Sequence, residues 1–463
     1  MTDQRMRTRP TERPLGDRKW LAPGVAVAAV GWGANQFAPL LPLYRAEMGL
    51  GATTVQASFG LYALGLIPGL LLGGPLSDRH GRRRIMLPAL VASMAGSGLL
   101  VAGGSSVGWL FAGRLVAGVA SGAAFSSGAA WTRELSPGAA NPGPRRATVA
   151  MTAGFAGGPL VAGALAQWAP WHTALPYLPH LLLAGVAVPL VLRAPAHRAA
   201  TANARGSTAN ALGSTANARG STASGRGPAG RPPGSIGWWR EPAGRRFRSV
   251  VVPLAPWVFG SASVALAYLP SVAAPRLGGY ALAFGAGVAG VTALAGIAVQ
   301  PVARRVYRPG SARLLGTALG LVAAGLAVAA AAATGQPALV VVAAVVLGGG
   351  YGGCQVAGLL EVQRLAPPDR LAGLTALYQA VSYLGFAVPY LLAVGTRRVS
   401  PATALLVAAA LAAMTLVRLT LVRPPATDGP ATDGPATDGP VTDGPPAPDG
   451  PPDQPFDGGT AMP

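Results

Sequence analysis

The chain has 463 residues, 51% of them hydrophobic and only 11% charged, which excludes an ordinary soluble domain and fits segments of about 20 apolar residues spanning a bilayer. The formal net charge is +20, but the arginines sit in short stretches between apolar runs and build no single basic face, which excludes nucleic-acid binding. One cysteine, Cys354, excludes an intrachain disulfide, and four histidines without paired buried acids form no catalytic or metal constellation, so the chain reads as a non-enzyme with neither cofactor nor metal.

Residues 1–19 are polar, carry six Lys or Arg, and read as a tail without a cleavable signal. Apolar runs follow at approximately 20–44, 52–75, 85–104, 108–131, 147–169 and 173–193. Each predicts a membrane helix, because hydrocarbon offers backbone groups no partner outside a helix or a closed barrel. Asn35 and Gln36 interrupt the first run. Partnerless polar groups cost free energy in hydrocarbon, so both are expected to line a water-filled cavity. Between the second and third runs lies GGPLSDRHGRRR, residues 73–84, a dense cluster of charge read as a loop. Membrane topology asks only for bases there, so Asp78 is an added acid, while Gly74 permits close helix approach and Gly81 a turn with φ > 0. Arg114 falls inside the fourth run, where a cation must face protein or water. In the fifth run Gly154, Gly158, Pro159 and Gly163 predict a kinked, thin-surfaced helix.

Residues 194–247 separate this set from the next. TANARGS-like units recur there every seven residues from Thr201 without an apolar stripe, which predicts a disordered linker. Six further runs cover approximately 248–271, 279–301, 314–333, 337–360, 372–394 and 401–422. Within them Trp257, Tyr351, Gln355, Tyr378, Gln379 and Tyr383 are further cavity candidates. Residues 423–463 repeat ATDGP from Ala426 and predict a disordered, acidic tail. No Asp or Glu lies well inside a run, which leaves His180, Glu134 and Glu361 as the titratable groups nearest the interior.

An even number of spans puts both termini on one side. That side collects 31 of the Lys and Arg residues, against Arg45, Arg276, Arg397 and Arg398 on the other. The asymmetry predicts cytoplasmic termini in a cytoplasmic membrane. A single Lys against 35 Arg suggests a high-GC bacterial genome. Shifting the first half by 230 residues superposes Gly118, Gly122 and Gly128 on Gly348, Gly352 and Gly358. Such a repeat predicts two pseudo-symmetric six-helix bundles, 20–193 and 248–422, around a central pathway.

The spacing Gly74-x-x-x-Asp78-Arg79-x-Gly81-Arg82-Arg83 resembles the signature between helices 2 and 3 of the major facilitator superfamily, and the likeness covers both apolar halves. The resemblance implies an all-α fold of twelve transmembrane helices in two bundles. It also implies that Gly74, Asp78, Arg79, Gly81, Arg82 and Arg83 form a latch between the halves, with the acid facing the start of helix 11. A carboxylate there gains roughly 0.3–2 kcal/mol from the helix dipole, enough to bias two states without locking either. Arg114-Leu-Val-Ala-Gly118 is similar to the helix-4 motif of proton-coupled members, which implies a coupling role for Arg114. The Gly154 to Gly163 stretch is partly similar to the helix-5 motif of antiporters; Ala162 stands where that motif has Gly. The implied function is secondary active transport of a small molecule, with export of an amphipathic drug-like compound or metabolite expected and the proton a candidate coupling ion. Import of a nutrient, or a non-transporting sensor, are the alternatives. The expected partners are a small-molecule substrate and the lipid bilayer, with the protein acting as a monomer.

Overall fold

A computed structural model of the chain describes residues 18–136, 142–195, 242–308, 311–367 and 370–421. Both repeat-bearing segments, and with them most of the disorder expected of linker and tail, lie outside the described residues; the last residues of the expected linker, 242–247, are instead helical and begin the seventh span. Among those residues there is no strand.

The helices in chain order are α1 (Leu21–Asn35), α2 (Ala52–His80), α3 (Arg82–Ala102), α4 (Val107–Glu134), α5 (Gly143–Trp168) and α6 (Leu178–Arg193). After the gap come α7 (Ala243–Arg276), α8 (Ala281–Val306), α9 (Arg313–Ala332), α10 (Pro337–Leu365), α11 (Leu371–Tyr383) and α12 (Pro401–Leu421). Eleven helical segments are long and apolar enough to cross a membrane. The expected first span is the exception, because it is in two pieces. Leu21–Asn35 stops, a 3₁₀ turn covers Ala38–Leu40, and a short helix resumes over Leu41–Glu47. Pro39 and Pro42 explain the break, since neither can donate the backbone bond a continuous helix needs there. Similarly, α11 passes through a 3₁₀ turn at Leu384–Ala387 into Val388–Gly395.

The charged stretch 73–84 is not a loop. Helix α2 continues through Asp78 to His80, Gly81 alone breaks the chain with φ 97°, and α3 starts at Arg82. Only glycine adopts that φ without strain, so the turn is one residue long.

Glycine also sets how close the helices come. A Cβ on Gly118 or Gly122 of α4 would collide with the Tyr62 or Leu66 carbonyl of α2. The repeat partners behave alike: a Cβ on Gly348 or Gly352 of α10 would collide with the Thr292 or Gly296 carbonyl of α8. Lipid supplies no hydrophobic drive between helices, so stability rests on this backbone-to-backbone fit. In the first six helices α2, α3 and α5 pack around α1 and α4; in the last six, α10 is packed by α7, α8 and α9.

Candidate functional site

The two sets of helices meet around α2, α5, α8 and α11. The contacts that join them cluster at the membrane face bearing Thr53, the face opposite Asp78. Arg397 donates from Nη2 to Thr53 Oγ1 at 2.6 Å, and Gln56 donates from Nε2 to the Ala267 carbonyl at 3.0 Å. Gln167, near the end of α5, donates to the Gly279 carbonyl and accepts from the Ala283 N–H at 3.2 Å. Gly163 admits Ala286 and the Leu282 carbonyl of α8, where a Cβ would collide with the Ala286 side chain.

Directly inside this seal lies a cluster of rings. Phe386 approaches Phe59 and Tyr62 of α2, with centroids 5.2 and 5.8 Å apart. Phe259 of α7 stacks on Tyr383 at 4.4 Å and approaches Tyr351 of α10 at 5.6 Å and Phe386 at 5.3 Å. Arg114 sits behind this cluster at 1% exposure, with its guanidinium 4.6 Å from the centroids of both Phe37 and Tyr62. Its Nη1 donates to the Ala34 carbonyl at 3.2 Å and its Nε to the Ser58 carbonyl at 3.3 Å. The break in α1 leaves the last carbonyls of that helix without helical partners, and a cation satisfies the one at Ala34. Among the described residues Arg114 has no carboxylate partner; main-chain oxygens and ring faces hold its charge.

One turn from the rings, toward the Asp78 face, are two carboxamides. Gln355 lies four residues past Tyr351 on α10, and Gln379 four residues before Tyr383 on α11, each on the same helix face as its tyrosine. The amide oxygens of both are buried without a hydrogen-bond partner, as is the Trp32 indole N–H on α1. Asn35, three residues on from Trp32, is half-buried.

Three other cavity candidates are not brought here. Gln36 is fully buried and donates to Ser97 Oγ at 2.9 Å; Ser97 and Ser93 in turn bond the two ring nitrogens of His180, at 2.8 and 3.1 Å. This brace ties α1, α3 and α6 together inside the first half. Tyr378 donates to the Cys354 carbonyl at 3.1 Å, binding α11 to α10, and Trp257 donates to Thr415 of α12 at 3.2 Å.

At the opposite face, Arg82 pairs with Asp78 across the Gly81 turn and donates to Glu134 Oε1 at 2.8 Å and Ser77 Oγ at 2.6 Å. Arg83 donates to the Leu192 carbonyl at 3.1 Å. The Asp78 side chain is 62% exposed, and its ion-pair partner belongs to its own half. In the other half Glu361 is buried against Arg246 and Arg364, each at 2.7 Å. Sequence reading named Glu361 but not Arg246, which lies 115 residues away. It also passed over Phe59, Phe259 and Phe386, although lone aromatics in Ala- and Gly-rich helices were an available signal. In the helix-5 stretch, Gly154 and Gly158 press on the α1 backbone at Ala28 and Trp32, and Pro159 lies inside α5.

Comparison with known proteins adds three findings. A family model described as Major Facilitator Superfamily matches residues 21–390. A 3-(3-hydroxy-phenyl)propionate transporter of Escherichia coli (strain K12) is 33% identical over 144 residues, 30% of this chain and 31% of that protein. The match thus spans about a third of the relative's length. Among solved structures, a POT family transporter in complex with 5-aminolevulinic acid superposes with a TM-score of 0.65 at 12% identity, over 88% of this chain and 95% of that one. A nucleoside transporter does so with a TM-score of 0.63 at 11% identity, over 87% and 99%. At such identities the likeness is one of fold.

Proposed function

The chain belongs to the Major Facilitator Superfamily, a family of multi-pass membrane transporters, and from that premise we propose that it exports a small amphipathic organic compound across the cytoplasmic membrane by alternating access. The observation that carries this reading is the asymmetry of contact between the halves. Hydrogen bonds and tilted ring contacts of Phe386 with Phe59 and Tyr62 join them at the Thr53 face, while Asp78 is paired within its own half and exposed. With the arginine-rich face assigned to the cytoplasm, this is a state open inward, with the Asp78 latch released. Return to the outward state re-engages Asp78 with the start of α11 and breaks the Thr53 seal. The bonds that seal it are neutral or exposed, each worth roughly 0.5–1.5 kcal/mol, so none locks the carrier.

Export is supported by Gly154, Gly158, Pro159 and Gly163, which let α5 press on α1 and α8 and slide between them. Arg114 is assigned to coupling: it grips the broken end of α1 and touches Tyr62 of the ring cluster, so movement of either half reaches it. The proton is the proposed driving ion. Gln355, Gln379, Tyr351, Tyr383, Trp32 and Asn35 form the proposed cargo site. The shared 144-residue stretch and the ring cluster support an aromatic cargo.

The test is accumulation of labelled aromatic drugs and metabolites in cells expressing the protein, with and without a protonophore. Lower accumulation that a protonophore reverses is the expected result. Raised accumulation of one compound identifies an importer, and no change for any compound removes transport.

A further inference from the structure

We infer that the cargo is uncharged where it binds: a compound that presents hydroxyl or amide groups on a planar aromatic frame. This inference rests on the transport reading and names the substrate class of the same site.

The site's chemistry points this way from two sides. First, its partnerless polar atoms are neutral. The amide oxygens of Gln355 and Gln379 and the indole N–H of Trp32 are buried and bond nothing in the protein. A buried polar atom without a partner is costly, so a ligand that enters beside α10 and α11, which Tyr378 holds together at Cys354, satisfies the two amide oxygens. A carboxamide both donates and accepts, which matches a hydroxyl or an amide and gives no preference for an ion. The two glutamines sit one helical turn, about 6 Å, below tyrosines that share the Phe259 ring. A planar frame that stacks under those rings therefore brings its polar groups to the amides.

Second, the residues proposed to line the site carry no ionised side chain, and the buried ions Arg114 and Glu361 are engaged elsewhere. Arg114 is 1% exposed, screened by the Phe37, Phe59 and Tyr62 rings and engaged by two carbonyls. Glu361, six residues past Gln355 on α10, is 2% exposed and holds Arg246 and Arg364. Arg246 Nη1 is also without a partner, but it lies beside Glu361, beyond the glutamines toward the Asp78 face. An ion that leaves water for the glutamines therefore finds no ionised side chain among the residues proposed to line the site to replace its hydration.

The test uses four compounds on one frame: 3-phenylpropanol, 3-phenylpropionamide, 3-phenylpropionate and 3-phenylpropylamine. Binding to the purified full-length chain in lipid nanodiscs is read by titration calorimetry, and flux of the same compounds is read in vesicles. The alcohol and the amide are expected to bind at least about tenfold more tightly than the carboxylate and the ammonium. Gln355→Leu and Gln379→Leu are expected to weaken the neutral pair about tenfold each. Gln355→Glu, similar in size, is expected to shift preference toward the ammonium. Carboxylate binding as tight as the alcohol, or neutral binding untouched by both leucine variants, overturns the inference. Because binding is read apart from flux, either result can stand beside intact transport. Flux of some other compound with no binding by all four overturns the aromatic frame and leaves transport standing.

Discussion

Two charged residues of this chain carry opposite physical burdens. Asp78 is exposed, so its pair with Arg82 is a surface pair worth about 0.2–1 kcal/mol. Asp78→Asn is therefore expected to move the melting temperature by no more than about 3 °C while flux falls at least tenfold. A normal turnover number in that variant would remove the latch role. Arg114 is fully buried and holds two carbonyls and the faces of Phe37 and Tyr62. Arg114→Lys keeps the charge but loses the planar fork, and an ammonium cannot reach both carbonyls while stacking on two rings. We expect that variant to lose flux at least tenfold and to melt several degrees lower. Unchanged flux with an unchanged pH profile would leave Arg114 only a structural tie. The sequence identified both residues, because an acid among required bases and a cation among apolar residues are each costly to place. It did not reveal their partners: Ala34 and Ser58 are 80 and 56 residues from Arg114 and contribute only backbone oxygens, which carry no side-chain signal.

At the scale of whole helices, small residues decide the geometry. Gly163 is where α5 meets α8, and a side chain there strikes Ala286. Gly163→Val is expected to hold the Thr53 face apart and to cut flux about tenfold or more. Gly98, where an added Cβ meets nothing within 4 Å, provides the control: Gly98→Val should leave flux near normal. Equal loss in both variants would mean that valine harms these helices through propensity and not through the crossing. Span positions were legible to within a few residues, since lipid compels any apolar run of that length to be helical. Asn35 and Gln36 mark the break in α1, but by themselves they fit one polar interruption of a continuous helix as well. Gln36 turned instead to Ser97 and His180, because a bond inside the first half was available to satisfy it.

For the whole molecule, the decisive feature is which face is sealed. If the Thr53 seal opens in each cycle, bridging it stops transport. Thr53→Cys together with Arg397→Cys, linked by a short bis-maleimide, is expected to abolish flux, whereas each single variant retains it. Cys354, the single native cysteine, is buried and adds no background reaction. Full flux in the cross-linked protein would mean that this face does not open. What the sequence determined by itself was a multi-pass, all-helical membrane protein, the approximate position of its apolar helices, and the family. These follow from the local cost of apolar or charged groups along the chain. Only the tertiary structure decided which residues meet at the centre and which face is closed. The rings of Phe59, Phe259, Tyr351 and Phe386 come from four separate helical segments, and their meeting depends on backbone approach at glycines far apart in the chain. Such contacts are energies of packing between distant segments, and no local run of residues encodes them.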